Sequence, residues 1–322
     1  MAFYHKIIVI IILLVATACT DLNIVQVDIS ENFNPDITVN SLMQPDSNII
    51  IIVSPTQAAF SNKTEVKPQI SSASLVDILN NQTYSLEIYT WDNYIVLKNQ
   101  DFCPIPGGEY CIKIQTTQPA KTLIAKDKVP ERSANILNLN INPVKGSTAY
   151  LGKINFTSIG TDIYYELLIY SQEVVNDTTQ TIPFYQTSLS TTNPLITRED
   201  YYPSLIVLSQ ESPKSLLFHI DNPKDTVCID FEYDNGGIYT NGKTGTCNHN
   251  LRIELRTVSE SFFLYKTSLY KQMYAAAGDL LYGIAEPVKV VSNIEGGVGL
   301  FGSYIKTDTT VFVAGRNDII YE

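Results

Sequence analysis

The sequence predicts an all-β protein of two β-sandwich (Ig-like) domains, the second carrying one amphipathic helix near the C-terminus. Short runs rich in Ile, Val, Tyr, Phe and Thr recur along the chain with Pro, Gly, Asn and Asp between them, the pattern of strands and turns in sandwiches. Apolar residues at helical spacing stand out in one late segment, from Phe262 to Ala276. The chain has 322 residues, and the part beyond its export segment is long enough for two cores of ordinary domain size.

At the N-terminus His5 and Lys6 precede an apolar run from Ile7 to Val15, which ends in Ala16-Thr17-Ala18-Cys19. This is the order of a secretory signal, too short and wrongly flanked for a spanning helix, so residues 1–18 are expected to be cleaved. A cysteine at the cut resembles the bacterial lipobox, although Ala16 stands where Leu is usual. On that reading Cys19 carries the lipid, and acyl chains hold it in a bilayer at roughly 0.8 kcal/mol per CH₂. The alternative is a plain secreted protein with an incidental cysteine. Residues 19–35 are polar and without period, a tether between bilayer and first domain.

The first sandwich is expected over 36–128. Its strands are Ile37 to Leu42, Ile49 to Val53, Leu75 to Leu79, Tyr84 to Tyr89, Tyr94 to Leu97, Tyr110 to Ile114 and Leu123 to Ala125. Val129-Pro130-Glu131-Arg132-Ser133 marks the boundary. The second sandwich, 129–322, repeats the theme in Ala149 to Phe156, Ile163 to Tyr170, Ser204 to Leu208, Ser215 to Ile220, Val227 to Tyr233 and Leu251 to Thr257. Thr257-Val258-Ser259-Glu260 has capping-box spacing and opens a helix at about 258–277, with Phe262, Tyr265, Leu269, Met273 and Ala276 on one stripe and Gly278 placed to end it. The stripe is expected to pack on the sheet. No later segment is long and apolar enough to span a membrane.

Formal net charge is −11, and loss of Lys6 with the signal makes it about −12. With no basic stripe in the chain, nucleic acid is not an expected partner. Beyond Cys19 the cysteines are Cys103, Cys111, Cys228 and Cys247, an even number in an exported chain. Two disulfides are expected, and the short loops within each neighbouring pair favour Cys103 to Cys111 and Cys228 to Cys247 among the three possible connectivities. Each would stabilise by roughly 2 to 3 kcal/mol. A four-cysteine zinc site would need two close-spaced pairs, which are missing.

No catalytic constellation emerges and no cofactor is expected. Gly297-Val298-Gly299-Leu300-Phe301-Gly302 matches the dinucleotide-binding expression. It lies where no helix and further parallel strand can follow, so the glycines are read as serving a tight turn or bulge with positive φ. Asp230, Glu232 and Asp234 alternate with Ile229, Phe231 and Tyr233, putting three carboxylates on one strand face. With Asn235-Gly236-Gly237 beyond, they are a weak calcium candidate, while a solvated strand face has the same pattern and is favoured. His219 and Asp221 are two apart on a strand without a Gly-x-Ser-x-Gly elbow, so they do not make a serine triad. His249 is read as a loop residue beside Cys247. Paired carboxylates for glycoside hydrolysis depend on tertiary separation and leave no sequence mark. Twenty tyrosines and Trp91 suit strand packing or stacking on sugars and peptides. Tyr201-Tyr202-Pro203 and the polar loops from Gln57 to Ser72 and Asn176 to Pro203 are where recognition is expected.

Leu251-Arg252-Ile253-Glu254-Leu255-Arg256-Thr257-Val258-Ser259-Glu260, Tyr265-Lys266-Thr267-Ser268-Leu269, Glu286-Pro287-Val288 and Ser292-Asn293-Ile294-Glu295-Gly296-Gly297-Val298-Gly299-Leu300-Phe301-Gly302 resemble the C-terminal signature of a Bacteroidota lipoprotein family known as a domain of unknown function. Ile37 to Leu42, Ala73 to Ile78 and Pro106 to Tyr110 resemble that family's opening domain, which is similar to carboxypeptidase regulatory-like sandwiches. The resemblance implies an outer-membrane lipoprotein that accompanies a TonB-dependent transporter or other envelope complex, with no catalytic residues to carry over. Thr20 after Cys19 agrees with outer-membrane sorting, and the acidic cluster associated with surface display is reduced to Asp21. Asp177-Thr178-Thr179, Asp225-Thr226-Val227 and Asp308-Thr309-Thr310 resemble a short O-glycosylation pattern. The function expected is non-enzymatic binding of a transporter or envelope partner, the alternative being a glycan- or peptide-processing enzyme using carboxylates assembled by the fold.

Overall fold

A computed structural model describes residues 35–57, 67–174, 182–196, 215–222, 226–236, 238–240, 243–282 and 288–319. The expected signal peptide, Cys19, the tether to residue 34, Tyr201 to Pro203 and parts of both polar loops lie outside the described residues.

The first sandwich contains β1 (Ile37–Met43), β2 (Ile49–Pro55), β3 (Gln69–Asp77), β4 (Gln82–Ser85), β5 (Glu87–Thr90), β6 (Ile95–Asn99), β7 (Glu109–Gln118) and β8 (Ala120–Lys128). Its layers run β1-β2-β6-β5 and β4-β3-β7-β8. Period-two alternation sends Val39, Ile51, Val53 and Leu97 inward from one layer and Leu75, Ile112, Ile114 and Leu123 from the other, all fully buried. Each such side chain stabilises by roughly 1.5 to 3 kcal/mol. Phe102 closes one end, 4.7 Å from the Tyr84 ring and 5.2 Å from that of Tyr110.

Among the described residues the remaining strands are β9 (Asn135–Pro143), β10 (Ala149–Thr157), β11 (Ile163–Glu173), β12 (Tyr185–Thr187), β13 (Leu189–Ser190), β14 (Ser215–Ile220), β15 (Val227–Asp234), β16 (Ile238–Thr240), β17 (Lys243–Thr246), β18 (His249–Val258), β19 (Val298–Val313) and β20 (Arg316–Ile319), with one helix, α1 (Glu260–Tyr282). The layer β13-β15-β10-β9 faces β11, β18 and β19, while β14 and β12 both pair with β11. Ile154, Phe156, Ile229 and Phe231 meet Tyr165, Leu167, Ile253 and Leu255 in the second core. The strands β16, β17 and β20 form a small separate sheet.

β19 ties the two sandwiches together. Val298 to Ser303 run parallel to β1, and Tyr304 to Val313 run antiparallel to β18. At 3.3 Å per residue a strand of 16 residues spans about 50 Å. Ile294 and Phe301 belong to the first core, and Glu295 exchanges backbone hydrogen bonds with Ile124 of β8 at 2.8 and 3.1 Å. The expected assignment of all of 129–322 to the second sandwich is thereby corrected, because this late segment completes the first. Sequence proximity could not show it, since the pairing spans more than 250 residues.

The helix differs from its expected form. Ser259, two residues later than the expected Thr257, is the cap, its Oγ accepting the Phe262 N–H at 3.3 Å. Thr257 is a buried strand residue. The helix continues through Gly278 to Tyr282. Phe262 of the expected stripe and Phe263, which lies off it, pack with Leu217, Val258 and Leu300 on the outward side of the β11-β18-β19 sheet, with Tyr265 partly buried against them. The side chains of Met273 and Ala276 lie outside the described residues. No described helix is long and apolar enough to cross a membrane.

Candidate functional site

The Ser292 to Gly302 segment has a structural explanation. The Asn293 side chain mimics a strand partner: its Nδ2 donates to the Phe301 carbonyl at 2.7 Å and its Oδ1 accepts the Phe301 N–H at 2.9 Å. Gly296 and Gly299 have φ of 80° and 122°, and a Cβ on Gly297 would stand 2.6 Å from the Ile37 carbonyl oxygen. These glycines let the chain pass between β8 and β1, and no helix follows them to receive a pyrophosphate.

The expected disulfides are corrected: Cys103, Cys111, Cys228 and Cys247 are free thiols. Cys103 Sγ lies 3.4 Å from Asn48 Oδ1, by the β1–β2 turn of one layer, whereas Cys111 sits in β7 of the other, between Val76 and Lys126. Cys228 is the second residue of β15, while Cys247 is held beyond its far end, where Asn235 Nδ2 donates to the Cys247 carbonyl. Seven strand residues separate these ends, roughly 23 Å, far beyond the reach of a bridge. The Cys247 thiol meets Glu173 Oε1 at 2.9 Å, and burial with this carboxylate pushes its pKa up to about 11.

Asp230, Glu232 and Asp234 do share the exposed face of β15. Their oxygens have separate occupations. Asp230 lies 4.0 Å from Lys153 Nζ, and Asp234 accepts the Thr148 hydroxyl at 2.9 Å and the Gly236 N–H at 2.7 Å. A calcium ion takes six to eight oxygens on one centre, and this row does not converge on one.

The two histidines among the described residues are placed in ways the sequence did not reveal. His219 Nδ1 lies 2.9 Å from Asp221 and Nε2 2.7 Å from Asp162, with the ring stacked on Tyr164 at 4.4 Å. Each ring nitrogen already faces a carboxylate, so neither is left to accept a proton from a hydroxyl. These groups are close enough to be considered for a metal, but a metal takes one ring nitrogen, and here the two point to different carboxylates. His249 is no loop residue. It opens β18, fully buried, with Nε2 2.9 Å from the Tyr233 hydroxyl and Nδ1 2.9 Å from Asn235 Nδ2. Burial lowers its pKa and keeps it neutral.

Among the described residues, a cleft of about 720 Å³ lies where β8, the β10–β11 turn and the start of α1 converge. Lys126, Lys128 and Arg132 share its walls with Glu109, Glu131, Asp162 and Glu260, so it favours neither sign of charge. Asp127 is buried in it, its carboxylate accepting the Ser303 hydroxyl at 2.5 Å, with Ser259 and Ser261 also bonded to it. Burial pushes its pKa up to about 6 despite these hydroxyls.

A second constellation lies on the outward face of β18, where Arg252, Glu254 and Arg256 alternate with the core residues Leu251, Ile253 and Leu255. Glu166, wholly buried, receives Arg256 Nη1 at 3.0 Å and the Lys266 ammonium. Glu254 receives Arg256 Nε at 2.6 Å and Lys306 Nζ at 3.4 Å. Burial opposes ionisation of Glu166, yet the two cations hold its carboxyl below the usual range. Period-two charge in this strand is the visible signal. Its burial comes from α1, which the strand pattern cannot show.

The first sandwich presents an apolar surface. Leu42, Ile50 and Ile52 point outward from β1 and β2, 42 to 54 % exposed. Tyr89 of the edge strand β5 continues the face, opposite Val96, and Trp91 stacks on Tyr94 just beyond at 6.2 Å.

These elements define an all-β protein of two sandwiches joined by a common strand, with one helix near the C-terminus. The chain belongs to the family described as Domain of unknown function (DUF4249), which matches residues 23–310. No curated protein matches it. Among solved structures, a membrane-anchored protein from Corynebacterium diphtheriae is similar over 70 % of this chain and 55 % of its own, at 10 % identity and a TM-score of 0.20. The BSP domain of a biofilm-associated protein is similar over 69 % and 55 %, at 7 % identity and a TM-score of 0.17. The chain thus spans about half the length of these structures, and similarity this low bears on nothing further.

Proposed function

We propose that this protein is a non-enzymatic, lipid-anchored lipoprotein of the outer membrane that binds an envelope protein, a TonB-dependent transporter or an assembly component, through the open face of its first sandwich. The observation that carries the reading is the outward row of Leu42, Ile50 and Ile52 beside the exposed edge strand β5 and the Trp91–Tyr94 pair. Clustered apolar side chains at a free sheet edge are what protein partners cover, by side-chain burial and by strand addition. Cys19 and the resemblance to Bacteroidota lipoproteins support the location.

The experiment is purification from the native outer membrane in mild detergent, with a tag after Glu322 and a photo-crosslinking residue at position 50. A stoichiometric envelope protein crosslinked at that position supports the reading, and Ile52→Asp should abolish its recovery. A protein that emerges alone, with no crosslinked species, overturns it.

A further inference from the structure

The four cations on the outward face of β18 and its neighbours are not treated alike. Arg256, Lys266 and Lys306 all reach Glu166 or Glu254. Arg252 reaches neither. Its guanidinium lies over two aromatic rings, 4.6 Å from the centre of Tyr170 and 4.5 Å from that of Phe184. Its Nε is buried without a hydrogen-bond partner, and no carboxylate among the described residues pairs with it. Asp308 stands opposite Glu254, and the residue opposite Arg252 on β19 is Thr310.

Two rings hold a planar guanidinium in one orientation, and a fork of N–H donors so fixed matches a carboxylate with little ordering left to lose. Phe312, two residues beyond Thr310 on the same strand face, is 61 % exposed and offers an apolar platform beside it. A single cation in a protein of net charge −11 suits a singly charged ligand better than a polyanion.

We propose that Arg252, clamped by Tyr170 and Phe184, anchors a binding site for a carboxylate-bearing ligand on the outward face of the second sandwich. The site is separate from the apolar face assigned to the envelope partner and stands or falls independently of it.

The test uses the full mature chain in detergent micelles, with glucuronic acid and N-acetylphenylalanine as carboxylate probes. Glucose and N-acetylphenylalaninamide are their neutral counterparts, and sulfate is the non-planar anion. Calorimetric titration and the side-chain Nε–H resonance of Arg252 are the readouts. At least one carboxylate should bind and shift that resonance, about tenfold more tightly than its neutral counterpart. The probe that binds tells a glycan source from a peptide source. Arg252→Gln and Arg252→Lys should each lose about tenfold, the second because it keeps charge without the fork. Phe184→Leu, which leaves the charge in place, should weaken binding severalfold and serves if the Arg252 variants do not fold. Absence of binding by both carboxylates, unchanged affinity in these variants, or sulfate binding as tightly as carboxylate overturns the assignment.

Discussion

Gly299 passes so close to Val39 that a Cβ upon it would stand 2.1 Å from the Val39 carbonyl oxygen. The contact is backbone on backbone in the parallel β1–β19 pair, and no rotamer change relieves it. Gly299→Ala is therefore expected to destabilise the protein by about 3 kcal/mol or more, combining positive-φ strain with a displaced strand. Gly236→Ala, also at positive φ but with nothing within 4 Å, should cost about 1 kcal/mol. Urea denaturation followed by circular dichroism measures both, and equal effects would contradict the close-approach argument.

Asp127 gives the protein a defined acid response. Its folded pKa of about 6 lies above the ordinary value of 3.8, so the folded state holds this proton more tightly than the unfolded chain. The contribution is complete below the unfolded value and is lost as pH rises through the folded one. About 2 to 3 kcal/mol is at stake across that interval. Asp127→Asn should flatten the stability profile between about pH 4 and pH 6, measured by denaturant titration at a series of pH values.

Breaking the buried ion network on one side leaves a charge stranded. Arg256→Met strips Glu166 and Glu254 of a shared partner and should cost about 3 to 5 kcal/mol. Lys266→Met should cost less, because Lys266 is partly exposed and Glu166 keeps Arg256. Adding Glu166→Leu to Arg256→Met should recover part of the loss, and a double-mutant cycle reads the coupling.

The thiols are distinguishable by reactivity. Cys103 is exposed, whereas the Cys247 thiol is partly covered and kept protonated at neutral pH. Maleimide labelling of the native protein at pH 7 should modify Cys103 first and Cys247 last. In non-reducing denaturant all four should react, and any that resist would contradict the free-thiol assignment.

Legibility in the sequence follows exposure. Where one face is buried and the other wet, as in Ile37 to Met43 or Val227 to Asp234, alternation locates the strand within a residue or two. The edge strand β9 is hidden because four of its nine residues are asparagine, a residue depleted in strands, and little of it is buried. β19 is hidden for another reason: its glycines, which suggest a turn, serve close backbone approach within a strand. The candidate site is legible only as a charge pattern. Which of Arg252 and Arg256 finds a carboxylate depends on β11 and α1, brought in from far along the chain.

The strand common to both sandwiches also sets the order of events when the chain is made. β1 is near the beginning and its parallel partner begins at Val298, so the first sandwich waits for almost the whole polypeptide. A chain emerging N-terminus first cannot complete its leading half and then its trailing half in turn. Completion of both cores therefore awaits the same late segment, and neither half can finish folding while that segment is still to come.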